Sequence, residues 1–244
     1  MSYQTISYNK EDGIGEIKLR RPDKYNALNI KMRDELYEVF LSIKDDPDVG
    51  VVLIGGEGRA FCSGADISEF GTAPSRVIAR DVRWERDLWG LIYGMDEILI
   101  CLMHGYALGA GLEMAMLCDF RLAAFGTKFG LPEVNLGMIP TATGTQTLPR
   151  LINLGKALEI IFTGKFIGCD EALRLGLIHR AVPQNELYGE GKKLARRILS
   201  LPQVSIKFIK EAMRRGLDLS LDEAIRVEGV LFRKMRGEFG GAHR

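Results

Sequence analysis

Gly105-Tyr-Ala-Leu-Gly-Ala-Gly-Leu-Glu-Met-Ala-Met-Leu-Cys-Asp119 sets small residues at a turn that continues as an apolar helix. Just before it, Ile98 to Met103 is a continuous apolar run, as expected of a strand covered on both faces in a parallel sheet; just after it, Phe120 to Ala124 reads as a further strand. Strand, turn, helix and strand in this order predict a right-handed crossover. Further out, Val51-Val52-Leu53-Ile54 is another buried strand, stopped by Gly55-Gly56, and residues 74–94 read as helical. Residues 3–8 and 14–19 alternate around Glu11-Asp12-Gly13 as a β-hairpin. Met32, Leu36, Val39, Phe40 and Ile43 share one helix face behind a candidate N-cap, Asn29. The expected class is α/β.

After about residue 185 strand signals stop and helices take over, so a core over 1–185 and a helical region over 186–244 are expected. Ser220-Leu-Asp-Glu223 is a capping box, and Leu221, Ile225, Phe232 and Met235 give the helix it opens one apolar face, for the core or a neighbouring subunit.

The 244 residues fit one large domain, or a domain with an appended subdomain. With 33 Lys and Arg against 32 Asp and Glu, a net charge of +1 offers no global field for nucleic acid or membrane. Four widely spaced cysteines, Cys62, Cys101, Cys118 and Cys169, form neither a disulfide framework nor a zinc pattern. The N-terminal residues lack signal-peptide character and the longest apolar run is too short for a bilayer, so a reduced, cytoplasmic setting is expected. Three histidines, His104, His179 and His243, give no metal or Ser-His-Asp arrangement. Chemistry is left to carboxylates and backbone.

The turn at Gly109-Ala110-Gly111 presents the unpaired amides of a helix start, where the macrodipole adds roughly half a positive charge. Tight helix–strand packing alone accounts for such a turn. Glu113 adds chemistry, because a carboxylate in an apolar helix is costly unless it is used. A second glycine turn, Gly64-Ala65 in Phe61-Cys-Ser-Gly-Ala-Asp-Ile67, offers another amide, and two converging donors make an oxyanion hole. Glu133, in Phe129-Gly-Leu-Pro-Glu-Val-Asn-Leu-Gly-Met-Ile-Pro140, is read either as a helix N-terminal charge or as the second carboxylate. Two carboxyls in one partly apolar pocket hold a proton between them and supply both acid and base.

These residues carry a resemblance. The chain resembles the crotonase superfamily, and within it the enoyl-CoA hydratases, through Arg21-Pro22…Asn26-Ala27-Leu28, Phe61 to Ile67, Gly105 to Asp119, Phe129 to Pro140, and Thr163-Gly164 with Ala172…Gly176-Leu-Ile178. The resemblance implies a crotonase-like spiral of ββα turns with a C-terminal helical trimerisation region, assembled as a homotrimer or a homohexamer built as a dimer of trimers. It implies syn addition of water to a 2-enoyl-CoA thioester, giving a 3-hydroxyacyl-CoA. Ala65 and Ala110 would supply the oxyanion-hole amides, Glu113 would activate water, and Glu133 would protonate Cα. Lys24, Ala27, Ser63, Gly64, Asp66, Ile67, Gly109, Pro132 and Thr141 would line the bound thioester, with the adenine near Asp66, Ile67 and the 24–27 loop. Lys24 is a candidate phosphate contact or simply a solvated lysine. No metal or redox cofactor is implied, since CoA is part of the substrate.

Three departures stand out. Ala110 sits where many relatives have Gly, and its N–H survives the change. Thr141-Ala-Thr-Gly144 stands where Gly-x-Gly-Gly is frequent, an expected influence on the acyl pocket. The sequence stops at Arg244 where many relatives run on, so part of the CoA contact is expected to be missing or supplied from elsewhere. The rival readings are a Δ3,Δ2-enoyl-CoA isomerase, which needs one glutamate, a cyclic (di)enoyl-CoA hydratase, and an RNA-binding protein on the same scaffold. The last needs a basic stripe, whereas Arg20-Arg21, Arg196-Arg197 and Arg214-Arg215 are separate pairs.

Overall fold

A computed structural model describes residues 3–240. The hairpin is β1 (Ile6–Glu11) and β2 (Ile14–Leu19), antiparallel, closed by the two-residue turn Asp12-Gly13 with φ of +50° and +77°. Two successive positive φ values define the turn type that matches strand twist, so the first strand runs on to Glu11 rather than ending at residue 8.

Helix α1 (Ile30–Lys44) starts at Asn29, whose side chain accepts from the Met32 amide, and buries Met32, Leu36, Val39, Phe40 and Ile43. A cap of this kind contributes about 1 kcal/mol. Strand β3 (Val51–Gly56) follows, buried along its whole length. The expected helix over 74–94 is two helices, α2 (Arg76–Glu85) and α3 (Leu88–Tyr93). The break has a local cause: Asp87 caps the second helix by accepting from the Gly90 amide at 3.0 Å, which needs non-helical backbone at residue 87.

Then come β4 (Ile98–Met103), β5 (Tyr106–Leu108), α4 (Ala110–Met116), β6 (Phe120–Ala124) and β7 (Lys128–Gly130). They are followed by α5 (Gly144–Leu151), α6 (Leu154–Thr163), α7 (Cys169–Leu175), β8 (Arg180–Val182) and α8 (Leu187–Leu199). The main sheet has the order β1-β2-β3-β4-β6-β8, parallel from β2 onward.

A second, short ladder runs above it. Leu28 pairs with Ala65, Cys62 with Ala107, β5 with β7, and Phe129 with Ile167. Each long strand is thus followed by a short paired stretch and then a helix: β3, residues 62–65, α2 and α3; β4, β5, α4; β6, β7, α5. This is the spiral of ββα turns. Phe40, Phe61 and Phe129 are its largest fully buried side chains.

Gly105 joins β4 to β5 with φ +62°, and a Cβ there would lie 2.0 Å from the Arg59 carbonyl oxygen. Backbone cannot be pushed aside as a flexible side chain can. Gly105→Ala is therefore expected to cost about 3 kcal/mol or more, read as a fall in the urea midpoint.

Residues 1–195 and 196–244 form two units, the division falling within α8. In the second unit α9 (Gln203–Gly216) and α10 (Leu221–Gly240) pack together. The capping box forms as expected: Ser220 Oγ donates to Glu223 Oε2 at 2.7 Å and accepts from the Glu223 amide at 3.4 Å. The apolar face is corrected. Leu231 is buried and Ala224, Val227, Gly229 and Met235 are partly covered, whereas Leu221 (75%), Ile225 (56%) and Phe232 (55%) are exposed, so of the expected face Met235 alone is covered. The helix carries apolar residues on more than one side.

Candidate active site

The second ladder brings the two glycine turns together. Leu108 N–H donates to the Cys62 carbonyl and Cys62 N–H to the Tyr106 carbonyl, both at 3.0 Å, tying the 61–67 loop to β5. Beyond β5, Gly109 takes φ +47°, ψ −130° and opens α4. A Cβ on Gly109 would lie 3.6 Å from Gly64 Cα and 2.8 Å from Glu133 Oε1. One on Gly111 would strike Cys62 at 2.6 Å. Glycine is thus required at residue 111 by close approach to Cys62 and at residue 109 by its φ.

Ala65 and Ala110 follow these glycines, and among the described residues neither amide donates to any backbone or side-chain acceptor. Ala65 is held from both sides: the Leu28 amide donates to the Gly64 carbonyl at 2.8 Å, and the Asp66 amide donates to the Leu28 carbonyl at 3.0 Å. Helical φ and ψ begin at Ala110, so its N–H has no intrahelical acceptor.

Glu113 lies one helical turn past Gly109, to whose carbonyl its amide donates at 2.9 Å. The residue is 2% exposed. Its Oε1 accepts from the Ala142 amide at 2.9 Å and the Gly144 amide at 2.7 Å. Hydrogen bonds to backbone amides fix the carboxylate's orientation and offset the cost of burial.

Glu133 sits in the one-turn helix Pro132–Leu136. Burial pushes its carboxyl above the usual range, and its Oε2 is enclosed with no hydrogen-bond partner among the described residues. A carboxyl of this kind holds a proton at higher pH than an exposed glutamate does. The two carboxyls therefore differ in setting: Glu133 Oε1 lies beside Gly109, whereas Glu113 meets Gly109 through its backbone amide and holds residues 142 and 144 through Oε1.

The other expected residues spread from the turns to the surface. Ser63 N–H donates to the Tyr25 carbonyl at 3.0 Å, and Lys24 beside it is exposed. Ala27 is half-buried, Ile67 is 59% exposed, and Thr141 stands exposed just before the Ala142 amide. The Asp66 carboxylate is engaged within the protein: Ser68 Oγ donates to Oδ1 at 2.7 Å and Arg21 Nη2 to Oδ2 at 2.8 Å, which together hold its pKa down.

Residues given no role in the sequence reading hold this frame. Arg21 bridges Asp66 and the Ala27 carbonyl oxygen. Asn26, wholly buried at φ +54°, donates from Nδ2 to the Glu57 and Ala60 carbonyls and accepts from the Arg21 amide. Cys62, fully buried behind Gly111, has its thiol pushed up to about 11 by burial.

Residues 9–238 match the family model for enoyl-CoA hydratase/isomerase. The chain belongs to the enoyl-CoA hydratase/isomerase family. Among its curated relatives in this family, the crotonyl-CoA hydratase of Syntrophomonas wolfei is 39% identical, with 95% of this chain and 90% of the relative covered. The short-chain-enoyl-CoA hydratase of Clostridium acetobutylicum is 35% identical over 95% of this chain and 89% of its own length. In structure, the enoyl-CoA hydratase of Bacillus anthracis superposes with a TM-score of 0.89 at 32% identity, covering 94% of this chain and 90% of that one.

The raised carboxyl of Glu133 makes a stability prediction with a definite sign. A folded-state pKa above the unfolded value favours the fold fully below the unfolded pKa, and that contribution is lost as pH rises through the folded pKa. Glu133→Gln stays neutral throughout. It is expected to melt roughly 2 °C above the parent chain at pH 8 and to lose that margin near pH 4, by thermal scans across pH; solvent screening of the half-buried site keeps the margin small.

Proposed function

We propose that the chain is an enoyl-CoA hydratase, adding water across the double bond of a 2-enoyl-CoA to give the 3-hydroxyacyl-CoA. The observation that carries this reading is the close approach of the Gly64-Ala65 and Gly109-Ala110 turns, whose alanine amides donate to nothing among the described residues, with the Glu133 carboxyl beside Gly109 and Glu113 on the helix that Ala110 opens. The thioester carbonyl oxygen accepts from both amides, so the charge that builds in the enolate-like transition state meets donors already in place.

Glu113, its Oε1 held by the Ala142 and Gly144 amides, takes a proton from water as the water oxygen bonds to Cβ. The π pair moves to Cα and the carbonyl, and Glu133 gives its proton to Cα. One carboxyl ends protonated and the other ionised, and passing that proton from Glu113 back to Glu133 through water resets the site. Delivery of the water and of the proton from one face of the thioester gives syn addition. The chemistry needs neither a metal nor a redox group, and CoA enters and leaves as part of substrate and product.

CoA is placed along the 24–27 and 63–67 loops, with Lys24 near the phosphates. The partner proposed for the exposed apolar side of α10 is a second copy of the chain, in a homotrimer or a dimer of trimers; sedimentation equilibrium reads the size. Among the described residues no helix is long and apolar enough to cross a membrane. Four free, buried cysteines support a reducing, cytoplasmic setting.

The test is loss of the enoyl-thioester absorbance with crotonyl-CoA, alongside a 3-enoyl-CoA and a cyclic enoyl-CoA. Hydration of crotonyl-CoA is the expected result. Conversion of the 3-enoyl substrate alone would replace the reading with an isomerase.

A further inference from the structure

Ala65 takes its direction from a pairing one residue long. Leu28 and Ala65 form an isolated parallel bridge: the Leu28 amide donates to the Gly64 carbonyl at 2.8 Å, and the Leu28 carbonyl accepts from the Asp66 amide at 3.0 Å. In such a bridge one partner spends both its polar groups on the residues flanking the other, whose own N–H faces away. The peptide plane gives the same result. The Gly64 oxygen and the Ala65 N–H lie trans across one planar unit, so pinning the oxygen on Leu28 aims the N–H the opposite way. A shift of the 27–28 segment against residues 64–66 therefore turns this amide.

Arg21 staples the two sides of that bridge. Its Nη1 donates to the carbonyl of Ala27, next to Leu28, and its Nη2 donates at 2.8 Å to Oδ2 of Asp66, next to Ala65. One rigid guanidinium thus spans both segments, and the arginine and aspartate side chains are only 18% and 13% exposed. The arginine is anchored at its own backbone as well: its amide donates to Asn26 Oδ1 at 2.8 Å, and its carbonyl accepts from the Asn26 and Lys24 amides. Asp66 is fixed from its other side, since Oδ1 accepts from Ser68 Oγ at 2.7 Å and from the Ser68 amide at 3.2 Å. A largely covered, charge-assisted pair between anchored groups holds geometry in a way that a solvated surface pair does not.

We propose that Arg21 is a positioning residue for the thioester site: its guanidinium, forked between the Ala27 carbonyl and the Asp66 carboxylate, sets the direction of the Ala65 amide. This rests on the hydratase reading and deepens it. Arg21 moves no proton. Its effect is on the length and angle of the one hydrogen bond from Ala65 to the carbonyl oxygen, which counts most as charge builds there. Lysine is no substitute, because a single ammonium meets Asp66 or Ala27 without holding both in one plane.

Arg21→Lys keeps the charge without the fork. Asp66→Asn keeps an oxygen for the Ser68 contacts but removes the carboxylate that faces Arg21. Each is expected to lower kcat for crotonyl-CoA about tenfold, with KM within about threefold. The carbonyl stretch of bound butyryl-CoA, isotopically labelled at the thioester carbon, reads donation to its oxygen by infrared difference spectroscopy. Its downward shift on binding is expected to be smaller in both variants, which a loss of stability alone does not produce. Crotonyl-pantetheine lacks the nucleotide, and the same fall in kcat is expected with it. A fall confined to crotonyl-CoA makes Arg21 a nucleotide contact and overturns the proposal, as does an unchanged stretch or parent kcat in both variants. A parent chain that shifts the butyryl-CoA stretch yet never hydrates crotonyl-CoA overturns the hydratase reading instead, and a smaller shift in the variants then still supports the place of Arg21.

Discussion

Glu113→Gln is expected to lower kcat for hydration of crotonyl-CoA by about 1,000-fold, with KM and the melting temperature close to those of the parent. Glutamine keeps a carbonyl oxygen that accepts from the Ala142 and Gly144 amides in place of Oε1. What it lacks is basicity. The loss in rate then reads the proton taken from water, separately from the carboxylate's part in holding residues 142 to 144. Glu113→Ala is the contrast: it orphans two buried amides, each costing about 1–3 kcal/mol, so its melting temperature falls too. Steady-state kinetics with thermal scans on both variants decide the matter, and a glutamine variant active within tenfold of the parent would remove Glu113 from the chemistry.

Ala110→Pro is expected to cost about 100- to 1,000-fold in kcat by deleting one donor to the thioester oxygen. Proline is tolerated at the first position of a helix because the N–H it lacks there has no intrahelical acceptor. Ala110 holds that position in α4, and its amide donates to nothing among the described residues. The exchange thus removes a hydrogen-bond donor that the fold does not use. The preceding residue, Gly109, has no Cβ to clash with the proline ring. An unchanged circular dichroism spectrum with lost turnover is the expected pair of results. Full activity would show that the carbonyl oxygen is held elsewhere.

The parallel sheet was legible because β3 and β4 are buried throughout and read as unbroken apolar runs. The start of α1 was legible because Asn29 performs the capping its side chain is suited to. Helix α10 misled, since its apolar residues lie on more than one side and nothing in the order of residues says which side meets α9. The break at Asp87 was missed because a single capping side chain decides it.

In the candidate site, the turns and both glutamates were visible as residue types out of place in their surroundings. The groups that orient them were not. Arg21 and Asn26 act through contacts 31 to 45 residues away in the chain, and spacing carries no sign of such pairs. The 142 and 144 amides are backbone, common to any sequence. Only the positive φ of Asn26 had a precursor, since asparagine tolerates that region; that of Tyr25 had none.

Cys62 lies directly behind the turn that opens α4, fully buried and with its thiol pushed up to about 11. A thiol held protonated and out of solvent reacts with maleimides and similar reagents only after the chain around it parts. Its labelling rate is therefore a clock for the opening of the Gly109 turn itself. A tightly bound acyl thioester that clamps this turn would slow that clock, giving occupancy of the site a readout that needs no turnover at all.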